Sequence, residues 1–185
     1  MNTVLLLFYR HHRTAGTADS CSPHRRCDLS LGCEQLIPHR LYLPSEKDDT
    51  DTMFAVKEAV KRGFEDFLLI GVIGARLDHT LGNVSILLYL DSLGKKGYII
   101  DDYSEMEIVT DKPIAIDDSY PFFSLLNVSG CAKGIIITGA KYPLADAEIT
   151  SEYQYGISNE VLPNETARVS VQLGKLLLIK ILKSN

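Results

Sequence analysis

Two short stretches concentrate the side chains able to bind or move charge. Ser45-Glu46-Lys47-Asp48-Asp49-Thr50-Asp51 places four carboxylates within six residues, and Gly74-Ala75-Arg76-Leu77-Asp78-His79 sets a guanidinium, a carboxylate and an imidazole within four. Carboxylates are hard oxygen ligands suited to magnesium, whereas Arg76 offers a planar fork that matches phosphate oxygens. Gly74 lets a ligand approach the main chain closely. His79 can accept a proton, though a lone histidine beside an aspartate is more often a hydrogen-bonded structural group. Together these groups describe a site for a magnesium-bound nucleotide. The chain contains no GxxxxGK[ST], so a Walker-type phosphate loop is not available to it.

Both stretches fall where a strand hands over to a helix. Val4–Phe8 and Leu41-Tyr42-Leu43 read as strands, and Thr50–Arg62 reads as a helix with Met53, Val56, Ala59 and Val60 at helical spacing and Gly63 placed to close it. Phe67–Ile73 is apolar on both faces, as a central parallel strand covered by helices would be. His79–Leu93 follows as a helix whose buried side is marked by Leu81, Val84, Leu88 and Asp91, and Gly97–Ile100 is a further strand. This alternation predicts an open, mostly parallel Rossmann-like α/β sheet, whose ligand edge lies at the strand-to-helix junctions. The bland alternative at each junction is capping: Thr50 or Asp51 in one case and Asp78 in the other can serve as N-caps, and acidic groups are favoured at a helix's positive end.

After Asp102 the texture changes to short apolar runs, Met106–Thr110, Phe122–Val128, Gly134–Thr138, Ala167–Leu173 and Leu176–Leu182, separated by Pro, Gly, Asn and Asp. These predict a small antiparallel β-sandwich or barrel over residues 106–185. Strict alternation in Arg168–Leu173, followed by Gly174-Lys175, predicts a hairpin into Leu176–Ile181. Residues 10–35 show no periodicity and no readable element; their His and Cys side chains are zinc-ligand types whose spacing fits no compact motif.

Composition narrows the classes. A chain of 185 residues with 45% hydrophobic content can build a core without staples, and a net charge of -5 argues against a general nucleic-acid binder. Val4–Tyr9 is too short to cross a membrane and follows no basic region, which points to a cytoplasmic protein without a membrane partner. Cys21, Cys27 and Cys33, six residues apart, match neither a zinc pattern nor a disulfide framework and read as free thiols; Cys131 reads as a small core residue.

SEKDDTD resembles the acidic KDxTD motif of the thiamine pyrophosphokinase family, and GARLDHTLGN resembles its GxRLDH(T/A)xxN motif, in the same order and at a similar separation. TGAKYPL, Thr138–Leu144, and GISNE, Gly156–Glu160, are similar to turn and loop motifs of the family's β domain. The resemblance runs from about Leu36 to the end. It implies transfer of a diphosphoryl group from ATP to the hydroxyl of thiamine, giving thiamine diphosphate and AMP. It also implies an α/β domain (residues 1–105) carrying nucleotide and Mg2+, a β-sandwich (residues 106–185) helping to hold thiamine, and a homodimer with sites between subunits.

By matching motif positions, Asp51 would serve the metal and the diphosphate region, and Asp48, Thr50, Arg76, Asp78 and His79 would meet ATP. Lys47, Ser158 and Asn159 would belong to the thiamine pocket, the last two facing the partner subunit. Asp51, Arg76 and Asp78 form the implied catalytic set. Attack by an alcohol on phosphorus asks mainly for alignment and charge neutralisation. Asp51 or Asp78 can also accept the hydroxyl proton, and spacing does not choose between base and metal ligand. Tyr142, Tyr153 and Tyr155 can stack on a thiamine ring or simply pack in the β domain.

One departure stands out. The family's aspartate-glycine-glycine turn and GDFDS-like motif are absent before Ser45, and Asp19 and Asp28 lie in contexts that do not match. The intervening segment looks like a diverged insert or a shifted reading frame. The corresponding alternative is a weakly active or non-catalytic thiamine- or nucleotide-binding remnant.

Overall fold

The computed structural model describes residues 49–183 together with the strand backbones of 3–7, 27–31 and 39–41. It divides into two compact units, Met1–Ile99 and Ile100–Asn185. Chain order in the first is β1 (Thr3–Leu7), β2 (Cys27–Leu31), β3 (His39–Leu41), α1 (Asp51–Lys61), β4 (Asp66–Ile70), α2 (Leu77–Ser92) and β5 (Lys96–Ile100). The strands lie in the order β3-β2-β1-β4-β5. β1 and β4 run parallel with Leu5 opposite Leu68, whereas β2 runs antiparallel to both β1 and β3. The sheet is therefore mixed, where strand-helix alternation predicts a mostly parallel one. The difference comes from β2, which lies inside the segment expected to hold no element; Cys27-Asp28-Leu29-Ser30-Leu31 alternates apolar and polar residues, a period-2 signal hidden among Arg and His.

Thr50 caps α1: its Oγ1 accepts the Met53 N–H at 3.2 Å, and Asp51 and Lys61 complement the helix ends. The buried face is Thr52, Ala55, Val56 and Ala59, and the chain reverses at Gly63, whose φ of 83° suits glycine. α2 buries Asn83, Ile86, Leu87 and Leu90, not the expected stripe; Leu81 is 60% exposed. Leu81, Val84 and Leu88 form one apolar stripe of α2 and Ile86, Leu87 and Leu90 another, and what the helix packs against decides between them. Here Leu87 and Leu90 sit over Gly97 of β5, where an added Cβ would stand 3.0 and 2.8 Å from their methyls. In β4, Phe67 and Leu69 are buried while Leu68 and Ile70 are half-buried, so one face is more fully covered than the other. Each fully buried side chain of that size contributes about 2 kcal/mol.

The second unit is all β: β6 (Ser104–Val109), β7 (Ile114–Asp117), β8 (Phe122–Asn127), β9 (Cys131–Thr138), β10 (Leu144–Thr150), β11 (Thr166–Ser170) and β12 (Leu176–Ile181). β6-β12-β8 and β10-β9-β11-β7 are its antiparallel layers. Val109, Phe123, Leu125, Ile135, Val169 and Leu178 from both layers fill one core, the sandwich expected from the run of short strands. The expected β11–β12 hairpin does not form. β11 pairs with β7 and β9, β12 with β6 and β8, and Gly174 carries the chain from one layer to the other at φ 88°.

Cys131 is half-buried rather than a core residue. Its thiol donates to Glu148 Oε1 at 3.0 Å, and that bond pushes the thiol above its ordinary range, away from thiolate chemistry. Among the described residues no helix is long and apolar enough to cross a membrane.

Candidate active site

In the first unit, the lengths of α1 and β4 bring two helix starts to one edge. α1 has 11 residues and β4 has 5, so both span roughly 16 Å. The short reversal at 62–65 returns the chain alongside itself, which sets Asp51 level with the exit of β4. α2 begins just past that exit and packs beside α1. Asp51 and Arg76–Asp78 thus share the strand-exit edge of the sheet.

Arg76 is the N-cap residue of α2 and makes no side-chain capping bond, so Asp78 stands in the first turn, not at the cap. The two side chains form a bidentate pair: Nε to Oδ1 at 3.2 Å and Nη2 to Oδ2 at 2.5 Å. The Arg76 bond, helped by the His79 backbone N–H and the nearby charges, holds the Asp78 carboxyl at about 2. Both side chains are more than 60% exposed, so the pair is open to a ligand at little desolvation cost. His79 is exposed beside it.

Behind the pair, α2 grips the loop that leads to it. The Asn83 amide donates to Val72 O at 2.6 Å, and the Thr80 hydroxyl accepts from Gly74 N at 3.2 Å and donates to Gly74 O at 3.3 Å. Both residues occupy positions of the GxRLDH(T/A)xxN motif, but motif reading gave neither a role. The available signal was their place in that motif, with a polar Asn83 one turn ahead of the apolar Ile86 and Leu87.

At the other junction, Thr50 commits its hydroxyl to the helix end, the capping alternative. Asp49 receives Lys57 Nζ at 2.8 and 2.9 Å, and that bond raises the Lys57 pKa. Lys47 and Asp48 lie outside the described residues. Among the described residues no cluster of three His, Cys, Asp or Glu forms a metal cage. Asp51 stands in the first turn of α1.

In the second unit, Ser158 and Asn159 have different surroundings. Ser158 is exposed at φ 59°, its N–H donating to Ser124 Oγ at 3.0 Å. Asn159 is buried and its amide is committed: Oδ1 accepts Tyr142 N at 3.0 Å and Glu160 N at 2.9 Å, and Nδ2 donates to Tyr142 O at 2.8 Å. Asn159 therefore fastens the loop at 141–142 to that at 158–160, a join reinforced by Lys141 Nζ on Glu160 at 2.7 Å. The Tyr142 ring stays exposed next to Ser158's loop. Tyr153 and Tyr155 lean on each other at 5.2 Å between centroids, and Tyr155 Oη donates to Glu148 O.

Comparison with known proteins agrees with this division. Residues 11–99 match the thiamin pyrophosphokinase catalytic domain, and residues 104–176 match the thiamin pyrophosphokinase vitamin B1 binding domain. The first match begins inside the segment where no family motif is legible. The thiamine pyrophosphokinase of Bacillus subtilis (strain 168) is 28% identical over 149 residues, 80% of this chain and 69% of that protein. The crystal structure of the Bacillus subtilis protein is similar with a TM-score of 0.69 at 27% identity, covering 75% of this chain and 66% of that one. That of the thiamin pyrophosphokinase from Geobacillus thermodenitrificans gives 0.66 at 30% identity, over 76% and 65%. The chain thus spans about two thirds of the length of those solved structures. With its two units matched in order by the two domains of one enzyme family, the chain belongs to the thiamine pyrophosphokinase family.

Proposed function

We propose that the chain is a thiamine diphosphokinase, an ATP-dependent transferase that moves a diphosphoryl group from ATP to the thiamine hydroxyl and releases AMP. The observation that carries the reading is the exposed Arg76–Asp78 pair at the strand-exit edge of a unit matched by the catalytic domain, followed in the same chain by a unit matched by the vitamin B1 binding domain. Parallel β1 and β4, with α1 and α2 starting at one edge, support a Rossmann-like nucleotide site within residues 1–105. Thiamine belongs with the sandwich of residues 106–185. Magnesium as the cation of the nucleotide, a homodimer and the cytoplasm complete the reading.

In this scheme Arg76 exchanges part of its hold on Asp78 for phosphate oxygens and neutralises charge as the bond to AMP breaks. Asp78, held at about 2, is a poor proton acceptor and keeps the guanidinium oriented. Asp51 remains as the carboxylate for the metal and for the hydroxyl proton, with Asp48, Thr50 and His79 around the nucleotide. When bound, magnesium supplies further neutralisation of the triphosphate. Ser158 and the exposed Tyr142 ring offer thiamine a polar and a stacking contact, in a loop that Asn159 keeps in shape, and Lys47 belongs to the same thiamine-binding set.

A direct assay tests this: the chain incubated with ATP, magnesium and thiamine should release AMP and thiamine diphosphate in equal amounts. Thiamine binding by calorimetry without AMP release would replace this reading with a non-catalytic binding protein.

A further inference from the structure

We propose that Thr80 and Asn83 are positioning residues of the nucleotide site, fixing the segment Val72–Gly74 so that Arg76 and Asp78 are presented to the phosphates; this rests on the diphosphokinase reading. β4 ends at Ile70 and α2 begins at Leu77, so residues 71–76 have no strand or helix of their own to satisfy their backbone groups. α2 satisfies them at alternate positions. Val72 O receives the Asn83 amide, Gly74 N and O are both bonded to the Thr80 hydroxyl, and Arg76 O accepts the Thr80 N–H at 3.1 Å. Three successive attachments from two residues therefore set the path of the chain up to the guanidinium.

The residue types carry the argument further. Asn83 is buried between Val72 and the apolar face that holds Ile86, Leu87 and Leu90, where a leucine would bury more apolar surface. A buried amide is tolerated there because it is bonded, and its bond goes to the loop rather than to its own helix. The exposed Arg76 and Asp78 bond to one another, and Arg76 makes no capping bond, so the orientation of the pair follows from the backbone that Thr80 and Asn83 hold.

Thr80→Val keeps the side-chain shape and deletes the hydroxyl, and Thr80→Ser restores it. In the full chain, Thr80→Val should raise KM for ATP about fivefold and leave KM for thiamine unchanged, with Thr80→Ser close to wild type. A role confined to stability would lower the active fraction without moving either KM. A second readout needs no substrate: the Asp78 carboxyl titration, followed by NMR, should move upward in Thr80→Val and return in Thr80→Ser. Thr80→Ala should repeat both effects should the valine variant fold poorly. An unchanged KM for ATP in an active, folded variant, or an unmoved Asp78 titration, overturns the inference. A wild-type chain that releases no AMP refutes the diphosphokinase reading instead, and the Asp78 titration then decides whether Thr80 sets the pair.

Discussion

Replacing Lys180 with methionine should destabilise the chain far more than its place on a β-strand suggests. Lys180 on β12 lies directly across from Glu105 on β6, bonds to it, and reaches Glu107 Oε1 at 3.0 Å. Tyr120 donates its hydroxyl to Glu105 Oε2 at 2.9 Å, and its ring centre lies 5.2 Å from the ammonium. The side chains of Lys180, Glu105 and Glu107 are 9%, 19% and 12% exposed, so these charges are largely out of water. Burial works against the ammonium, but the bonds and fields of Glu105 and Glu107 outweigh it and raise the pKa of Lys180. Methionine fills the space and leaves two carboxylates without their cation. Removing one partner of a buried pair costs about 3–5 kcal/mol, and partial exposure of the glutamates places this case near 3. For a chain of this length that lowers Tm by roughly 6–12 °C, measurable by circular dichroism. The raised pKa adds a sign. Because the folded pKa exceeds the unfolded one, the stability Lys180 adds is complete below its ordinary value of 10.5 and is lost as pH rises through the folded value. The deficit of the variant should therefore be flat through neutral pH and shrink in strong alkali. Adding Glu105→Gln and Glu107→Gln to Lys180→Met should recover most of the loss. A deficit below about 1 kcal/mol, or no recovery in the triple variant, would refute the reasoning.

Two further perturbations address other parts of the structure. Arg76→Ala should return the Asp78 carboxyl from about 2 toward 3.8; since the folded pKa is depressed, any stability from the pair is full above about pH 4 and is lost as pH falls toward 2. A carboxyl NMR titration that stays near 2 in the variant would assign the shift to the helix start instead. Gly174→Ala should cost at least about 2 kcal/mol, because φ is 88° and the new Cβ would stand 2.3 Å from Cys131 O, a backbone atom that cannot swing aside. Urea denaturation showing an unchanged midpoint would contradict the crossing described for this residue.

Local signals in the sequence located much of this molecule. Thr50, Gly63 and the spacing of Val56 and Ala59 marked α1 because caps and helical period are written within a dozen residues. Arg76 and Asp78 stood out as groups suited to phosphate and to metal, and the structure adds that they bond to one another at two points. What escaped was decided by distant partners. Leu81 looked like core because the stripe rule does not know where β5 lies. Gly174-Lys175 looked like a hairpin turn because alternation shows which faces a strand has, not which strand lies beside it. Lys180 lies 75 residues along the chain from Glu105, and nothing local connects it to the two glutamates of β6. Asn159 carried a motif position, yet its amide serves the neighbouring loop, a distinction only its hydrogen bonds reveal.

β12 occupies the middle of its layer, between β6 and β8, although it follows both of them and every other described strand of the unit in chain order. Until residues 176–181 have been synthesised, β6 and β8 each present an open strand edge toward the place β12 will fill, and the apolar side chains destined for the sandwich interior lack their central lid. Exposed edges of this kind template pairing with other chains. The second unit must therefore complete its fold late, and a product that stopped shortly before Leu176 would be prone to self-association.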